Sequence, residues 1–447
     1  MVFRSNAARM LSGEARALLT RLDSLRPYAL HMPMVTAAAI SPAAQTAVES
    51  HMSRARRQLR SMVKQFMQWL YRSDGESPEP PEAQRRFTLL RLRFNSVISQ
   101  FDIFADVLAQ RSEHETGVWV AGLDDVAADA LELPGYYTAP PVICYLYRGR
   151  GAAIRRARTR LPGGDLTPVA IISVPRERMV GNGVASSLVH EVGHQGAALL
   201  DLPNSLKPTL RGMQLKGGAE RVAWMLWERW IGEIVADFWA LAKVGVAATT
   251  GLIGVVSLPR AFVFRIALDD PHPFPWIRVK LSCAIGRSLY PHSQWNAWEA
   301  LWESFYPTEG LDEQKRHLVA VLQATIPAFV SLLIDHRPRK LRGKSLAEVM
   351  SIRDRQPALL AAYYQSWGGS EMPMRKASPT LALAVIGQAR ADGKMTPEEE
   401  SRTVANLLTY WAMRSALDIS AICAAQPMPG SRQRRQHSKY EVEAASN

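Results

Sequence analysis

The spacing of apolar residues predicts helices over most of the chain. In "MSRARRQLRSMVKQFMQWLYR" (52–72) and "RRFTLLRLRFNSVISQFDIFADVLAQR" (85–111), apolar residues recur every three or four positions, with basic or polar residues between them. A longer helical pattern, "AERVAWMLWERWIGEIVADFWALAKVG" (219–245), carries four tryptophans. From residue 186 onward the chain is predicted to be helical nearly throughout.

Two short segments depart from this period. "PPVICYLYRG" (140–149) and "TPVAIISVPRERM" (167–179) are apolar, rich in Val and Ile, and bounded by Pro or Gly, which predicts strands. The second strand directly precedes the apolar stretch "SSLVHEVGHQGAALLDL" (186–202). The fold class predicted is therefore mainly α with a small β-sheet (α+β).

Polar, Pro-rich segments divide the chain into candidate domains. "DGESPEPPEAQ" and "WGGSEMPMRKASP" are interpreted as linkers. The predicted order is an N-terminal helical region (1–73), a linker (74–84), a central domain (85–366, core 140–285), a linker (367–379), a small helical C-terminal domain (380–426) and a disordered tail (427–447).

The C-terminal domain contains an Asp-Gly turn in "ADGKMTPEEE" (391–400). It resembles the turn of helical tellurite-resistance-type domains rather than an EF-hand, because the alternating Asp/Asn ligands are missing. Thr396, Pro397 and Glu399 suit the N-cap, N1 and N3 positions of a helix, which predicts that a helix begins here.

Composition bears on the cellular compartment in which the protein is expected. The three cysteines are far apart and form no CxxC pair, which argues against a disulfide framework. Neither a signal peptide nor a transmembrane helix is predicted; the nearest approach, 244–259, is too short. We expect a cytoplasmic protein, with peripheral membrane contact left open and the oligomeric state unknown.

The net charge of +13 includes an arginine cluster in "YRGRGAAIRRARTRLPGG" (147–164). A solvated basic hairpin is the favoured interpretation, and a polyanion-binding groove is the alternative. Nucleic acid is not favoured as a partner, because no nucleic-acid motif accompanies the charge and no aromatic residues are interleaved within the segment.

The stretch at 186–202 carries the candidate chemistry. His190 and His194 are four residues apart, so on a helix they lie on one face and can bind one ion. Glu191 lies about 100° round the helix from His190, beside such an ion rather than on it. Zn²⁺ binds neutral imidazole well, and a carboxylate in this place can act as a general base. The alternative is a buried helix with two hydrogen-bonded histidines.

A catalytic zinc site needs a third protein ligand. The segment "GEIVADFWA" offers Glu233 and Asp237, again four apart and among apolar residues, where unpaired acids are costly. Glu233 is the candidate ligand. Asp237 can accept a hydrogen bond from the far ring nitrogen of a ligand histidine. The alternative is that both acids face solvent or pair with Arg229 and Lys243.

HExxH followed by ExxAD resembles the gluzincin zinc metallopeptidases, and most closely the CAAX-prenyl-protease and heat-shock membrane-protease family. In that family a His-Pro with a later Arg follows the third ligand, and "HPFPWIR" matches it with His272 and Arg278. The resemblance implies that His272 stabilises the tetrahedral intermediate and that Arg278 supports the site or holds His272. It also implies that the strand at 167–175 is an antiparallel edge strand for an extended peptide. The family's transmembrane helices are not predicted here, which favours a soluble relative.

The leading hypothesis is a zinc-dependent metallopeptidase acting on a peptide or protein. Zn²⁺ would be held by His190, His194 and Glu233, and endopeptidase activity is favoured over aminopeptidase activity. The resemblance covers roughly 168–280, and the rest of the chain resembles uncharacterised bacterial proteins. Two alternatives stay open: a catalytically inactive or regulatory metal-binding protein, and a polyanion-binding protein that uses its basic segments.

Overall fold

The structure, a computed structural model, is mostly helical and describes residues 2–25, 35–71, 78–149, 151–179, 181–216, 218–350 and 352–425. The strands are β1 (Val142–Tyr147), β2 (Ala153–Arg155) and β3 (Ala170–Pro175). The α-helices of the described residues are α1 (Val2–Ser24), α2 (Pro42–Leu70), α3 (Pro80–Ala109), α4 (His114–Leu131), α5 (Asn182–Leu200), α6 (Leu202–Leu215), α7 (Arg221–Val244), α8 (Val246–Val256), α9 (Arg260–Val263), α10 (Pro275–Leu289), α11 (Gln294–Phe305), α12 (Glu313–Asp335), α13 (Leu346–Val349), α14 (Pro357–Trp367), α15 (Glu371–Lys376), α16 (Pro379–Ala391) and α17 (Pro397–Ala425).

The sheet has the strand order β1-β3-β2, with β1 and β3 parallel and β2 antiparallel to β3. The predicted α+β class is therefore confirmed at this level. The prediction that 167–175 contains the edge strand is wrong, because β3 is the central strand and β2 is an antiparallel edge. Every residue of β3 is buried, Ser173 included, and a strand that is buried throughout and almost wholly apolar is typical of one covered on both faces.

Two hydrophobic cores meet across this sheet. Ile143 and Ile171 point to one face and pack with α1, α2 and α3. Cys144 and Ile172, one position along each strand, point to the other face and pack with α5 and α7. Because successive side chains of a strand alternate between faces, the N-terminal helices and the central helices cover opposite sides of one sheet.

Helices occupy parts of both segments that were interpreted as linkers. Helix α3 begins at Pro80, inside 74–84, while residues 72–77 lie outside the described part of the chain. Helix α15, of six residues, lies within 367–379, and its Met374 is fully buried. The predicted tail, 427–447, also lies outside the described residues.

The C-terminal helices pack into the same core as the central region. A Cβ on Gly122 of α4 would lie 2.4 Å from the carbonyl oxygen of Leu408 in α17, and one on Gly387 of α16 would lie 2.3 Å from the Cβ of Ala247 in α8.

The predicted start of α17 is confirmed. The Thr396 hydroxyl accepts a hydrogen bond from the Glu399 N–H, and the Glu399 carboxylate accepts one from the Thr396 N–H.

Helices α5 and α7 approach each other unusually closely. A Cβ on Gly193 would lie 2.9 Å from the backbone of Ala236, and one on Gly196 would lie 2.4 Å from the ring of Trp239. The indole N–H of Trp239 donates a hydrogen bond to the carbonyl oxygen of Ala130, so this ring cannot move freely. The two glycines therefore permit the contact between the helix of the HExxH motif and the helix of Glu233.

Among the described helices, α12 is long and apolar enough to cross a membrane, judged by length and composition alone. Its most apolar window is 39% buried within the protein, and the core helix of a globular protein can pass the same test. The apolar character of α12 was not recognised in the sequence, and the expected absence of a transmembrane segment stays a prediction.

We predict that Gly193→Ala lowers the free energy of unfolding by about 1–3 kcal/mol, because the new methyl group overlaps the backbone of α7. Gly212→Ala is the matched control. Gly212 is an exposed glycine of α6 with open space around it, so alanine should stabilise its helix by up to about 1 kcal/mol. Urea unfolding of both variants measures the difference. Equal stabilities would contradict the close contact of α5 with α7.

Candidate metal centre

Three potential metal ligands meet between α5 and α7. The Nε2 atom of His190 lies 3.3 Å from Oε2 of Glu233, and the Nε2 atom of His194 lies 3.4 Å from Oε1 of Glu233. Four ligands at about 2.0–2.1 Å from a tetrahedral zinc ion are separated by roughly 3.3 Å. Each histidine nitrogen therefore lies at about this distance from one oxygen of the Glu233 carboxylate, Oε2 for His190 and Oε1 for His194.

The described residues do not supply a hydrogen-bond partner for every polar atom of this cluster. Oε2 of Glu233 is buried and has no hydrogen bond of acceptable geometry to any described residue. Potential ligand atoms of His190, His194 and Glu233 all lie within 4.8 Å of one another. A buried carboxylate oxygen beside two imidazole nitrogens is the donor set that Zn²⁺ accepts, so these residues fit the ion.

Asp237 and Arg278 fix the Nδ1 side of the His190 ring, the side away from Glu233. Oδ1 of Asp237 lies 2.8 Å from Nδ1 of His190, which leaves Nε2 of that ring turned toward Glu233. The guanidinium of Arg278 donates two hydrogen bonds to Asp237, at 2.7 and 2.8 Å. These paired charges satisfy the buried acid, and they fix the orientation of the His190 ring. The alternative pairing of the acids with Arg229 and Lys243 is not found among the described contacts.

The same contacts set the protonation of the cluster. Burial disfavours the imidazolium of His190, but the carboxylates of Asp237 and Glu233 outweigh burial and raise its pKa to about 9. Burial and the neighbouring charge of His190 lower the pKa of His194 to about 4. Burial opposes the ionisation of Glu233, but the two histidines and Arg278 lower its pKa to about 2. Without a metal, the cluster thus holds one proton on His190 at neutral pH.

Glu191 lies on the wall of a cleft that also contains the three ligands, and only 8% of its surface is exposed. Burial raises the pKa of its carboxyl group, although the positive charges of His190 and Arg278 oppose that change. A buried carboxylate with a raised pKa, beside a metal position, suits a general base. The cleft itself has a volume of about 560 Å³.

His272 reaches the cleft from the loop before α10, and its Nε2 atom lies 3.5 Å from Oε2 of Glu233. Asp270 accepts hydrogen bonds from both the backbone N–H and the Nδ1 position of His272, at 2.9 and 2.8 Å. The suggestion that Arg278 holds His272 is not supported, because no described contact joins them and Arg278 is engaged with Asp237. The structure thus brings all seven candidate residues to one cleft.

Two further residues matter that were not recognised in the sequence. Asp270 could have been noticed, since an Asp in a turn-rich segment often accepts a hydrogen bond from the backbone N–H two residues on, here that of His272. Gln195 has no such signal. Its buried amide oxygen accepts a hydrogen bond of 2.7 Å from the N–H of Ala157, which ties the chain just after β2 to the helix of the histidines.

Comparisons with protein-family models, with curated proteins and with solved structures found no match to this chain. The resemblance to gluzincins therefore rests on the motif residues and on their arrangement alone.

We predict that zinc affinity depends on pH through one proton. The ion must displace the proton of His190, whose pKa is about 9, while His194 is already neutral above pH 4. The apparent affinity should therefore fall about tenfold for each pH unit below 9. Competition with a chelator at pH 6, 7 and 8 measures this slope.

Asp237→Asn provides the comparison for this titration. Removing the carboxylate that stabilises the imidazolium lowers the pKa of His190, so the decline should begin at a lower pH. An affinity that stays constant between pH 6 and 8 in the unsubstituted protein would contradict the proton competition.

Proposed function

We propose that this protein is a zinc-dependent metallopeptidase that hydrolyses peptide bonds, acting as an endopeptidase. The observation that carries the proposal is the meeting of His190 and His194 from α5 with Glu233 from α7, with candidate ligand atoms all within 4.8 Å of one another, beside the buried carboxylate of Glu191. The residues match the gluzincin pattern in chain order and in the roles that their geometry allows.

Each residue of the cleft has a distinct role in this proposal. When bound by His190, His194 and Glu233, zinc supplies a Lewis acid that polarises the scissile carbonyl and makes water more acidic. Glu191 accepts a proton from the attacking water and passes it to the leaving amine. Nε2 of His272 donates a hydrogen bond to the developing oxyanion.

Asp237, Arg278 and Asp270 act by positioning. The pair of Arg278 with Asp237 keeps the His190 ring from rotating, and Asp270 holds the Nδ1 side of His272. With its Nδ1 side bound to Asp270, the ring of His272 has Nε2 turned toward the cleft.

The substrate's main chain is proposed to lie along β2. This strand is antiparallel, ends the sheet, and contributes Ala153 and Ile154 to the wall of the metal cleft. Addition of a strand to a free sheet edge binds peptide through main-chain hydrogen bonds.

We predict that Glu191→Gln keeps zinc but lowers kcat by about 10²–10⁴-fold, because glutamine preserves the shape of the side chain but cannot accept the proton. Zinc content and cleavage of a quenched-fluorescent casein substrate are measured together. Glu177→Gln, an exposed glutamate before α5, is the control and should cleave as the unsubstituted protein does. Full activity of Glu191→Gln would overturn the mechanism.

His190→Ala separates this proposal from that of a structural metal. The contact of α5 with α7 depends on glycines and a large apolar core, so the variant should lose zinc and stay folded. Loss of zinc accompanied by unfolding would favour the structural-metal alternative, because metal binding would then supply the folding free energy.

We predict that His272→Ala lowers kcat by about 10²–10³-fold with little change in KM, because an oxyanion donor acts mainly on the transition state. Asp270→Asn should cause a smaller loss in kcat, again with little change in KM, because it loosens the position of the His272 ring without removing its Nε2 atom. His317→Ala, at an exposed position of α12, is the control. A KM effect alone would assign His272 to substrate binding instead.

A further inference from the structure

A second cavity lies beside β2 and is lined by arginines. Arg148, Arg155, Arg156, Arg160 and Arg176 contribute to its wall, and Asp106 is the single acidic residue of the described lining. All five arginines are exposed. The cavity therefore concentrates positive charge at one place on a chain that already carries a net charge of +13.

These arginines are largely unpaired. Arg176 lies 3.4 Å from Glu113, with both side chains nearly half exposed, so this pair contributes little. The other four form no ion pair with any described residue, and Arg150 of the same cluster lies outside the described part of the chain. Guanidinium groups in such a setting bind carboxylates well, often through two parallel hydrogen bonds.

The basic cavity adjoins the metal cleft along the edge strand. Ala153, Ile154 and Arg156 line both spaces, so β2 and the residue after it form their common wall. The hydrogen bond from Ala157 to Gln195 keeps this wall against α5, next to His194. An extended peptide rises about 3.4 Å per residue, and three residues along β2 span about 10 Å. A chain cleaved at the metal would therefore place residues near its scissile bond among the arginines.

We propose that the metal cleft and the arginine-lined cavity form one binding site for an extended acidic peptide. Its main chain pairs with the free edge of β2, and Asp or Glu side chains within a few residues of the scissile bond contact Arg155, Arg156 and Arg160. This proposal rests on the metallopeptidase function, for which it names the substrate class. A free strand edge beside the metal cleft favours a peptide over nucleic acid, since it offers main-chain hydrogen bonds that only a peptide can match.

Fluorescence anisotropy with the zinc-loaded Glu191→Gln protein tests this without turnover. The probes are a labelled decapeptide of alternating Glu and Ala and its Gln/Ala counterpart. We expect the acidic peptide to bind at least tenfold more tightly in moderate salt. Arg155→Gln/Arg156→Gln/Arg160→Gln should remove this preference.

Arg54→Gln/Arg57→Gln/Arg85→Gln is the matched control, because it removes the same charge from exposed positions of α2 and α3. This variant should keep the preference. Equal binding of the two peptides, or equal weakening in both triple variants, would overturn the proposal. So would a labelled oligodeoxythymidine that binds more tightly than the acidic peptide and is released by the cavity substitutions.

Cleavage separates this inference from the proposed function. If the unsubstituted zinc protein cleaves the Glu/Ala and Gln/Ala peptides equally, the metallopeptidase function stands and the acidic selectivity fails. If it cleaves no peptide, including casein, the proposed function fails, and the inference that rests on it fails even if the anisotropy preference is present.

Discussion

The close contact between α5 and α7 is the constraint on which the rest of the site depends. Gly193 and Gly196 leave no side chain between the two helices, so the backbone of Ala236 and the ring of Trp239 pack directly against α5. Glu233 and Asp237 lie about one turn apart on α7, next to these contact residues in sequence. A wider spacing, as ordinary side chains would impose, would carry both acids away from His190 and His194.

The second constraint is that the buried carboxylates of Asp237 and Glu233 need partners, and a series of contacts supplies them. Arg278 binds Asp237 through two hydrogen bonds, Asp237 binds His190, and His190 faces Glu233. Two buried carboxylates without partners would destabilise the fold strongly. Burial opposes the ionisation of Asp237, but the guanidinium of Arg278 and the imidazolium of His190 outweigh it and hold the pKa of Asp237 well below its usual range. Such an arrangement stabilises the protein and preorganises the ligands at the same time.

The sheet links this site to its surroundings. Strand β3 is paired on both sides, and the side chains of Gln110, Arg111 and Asp124 hydrogen-bond the outer edge of β1. Among the described strands, this leaves the outer edge of β2 for a further strand. Gln195 connects that edge to the helix of the histidines. The arginines on and after β2 line the basic cavity, and Arg156 also lines the cleft of the candidate metal centre. Part of the charge that the sequence suggested to be a solvated hairpin therefore lies beside this cleft.

The sequence by itself determined the local features: the helical period, the mainly α composition with a small sheet, the start of α17 at Thr396, and the four-residue spacing of His190 with His194 and of Glu233 with Asp237. These depend on intervals of a few residues, which the helix geometry translates directly into shared faces. Only the tertiary structure decided that β3 is central, that Asp270 rather than Arg278 holds His272, and that β2 borders the cleft. Those outcomes depend on contacts between segments far apart in the chain, such as Gln195 with Ala157 and Arg278 with Asp237. No local sequence pattern predicts these contacts, because each depends on how the packed helices bury apolar surface and pair their charges.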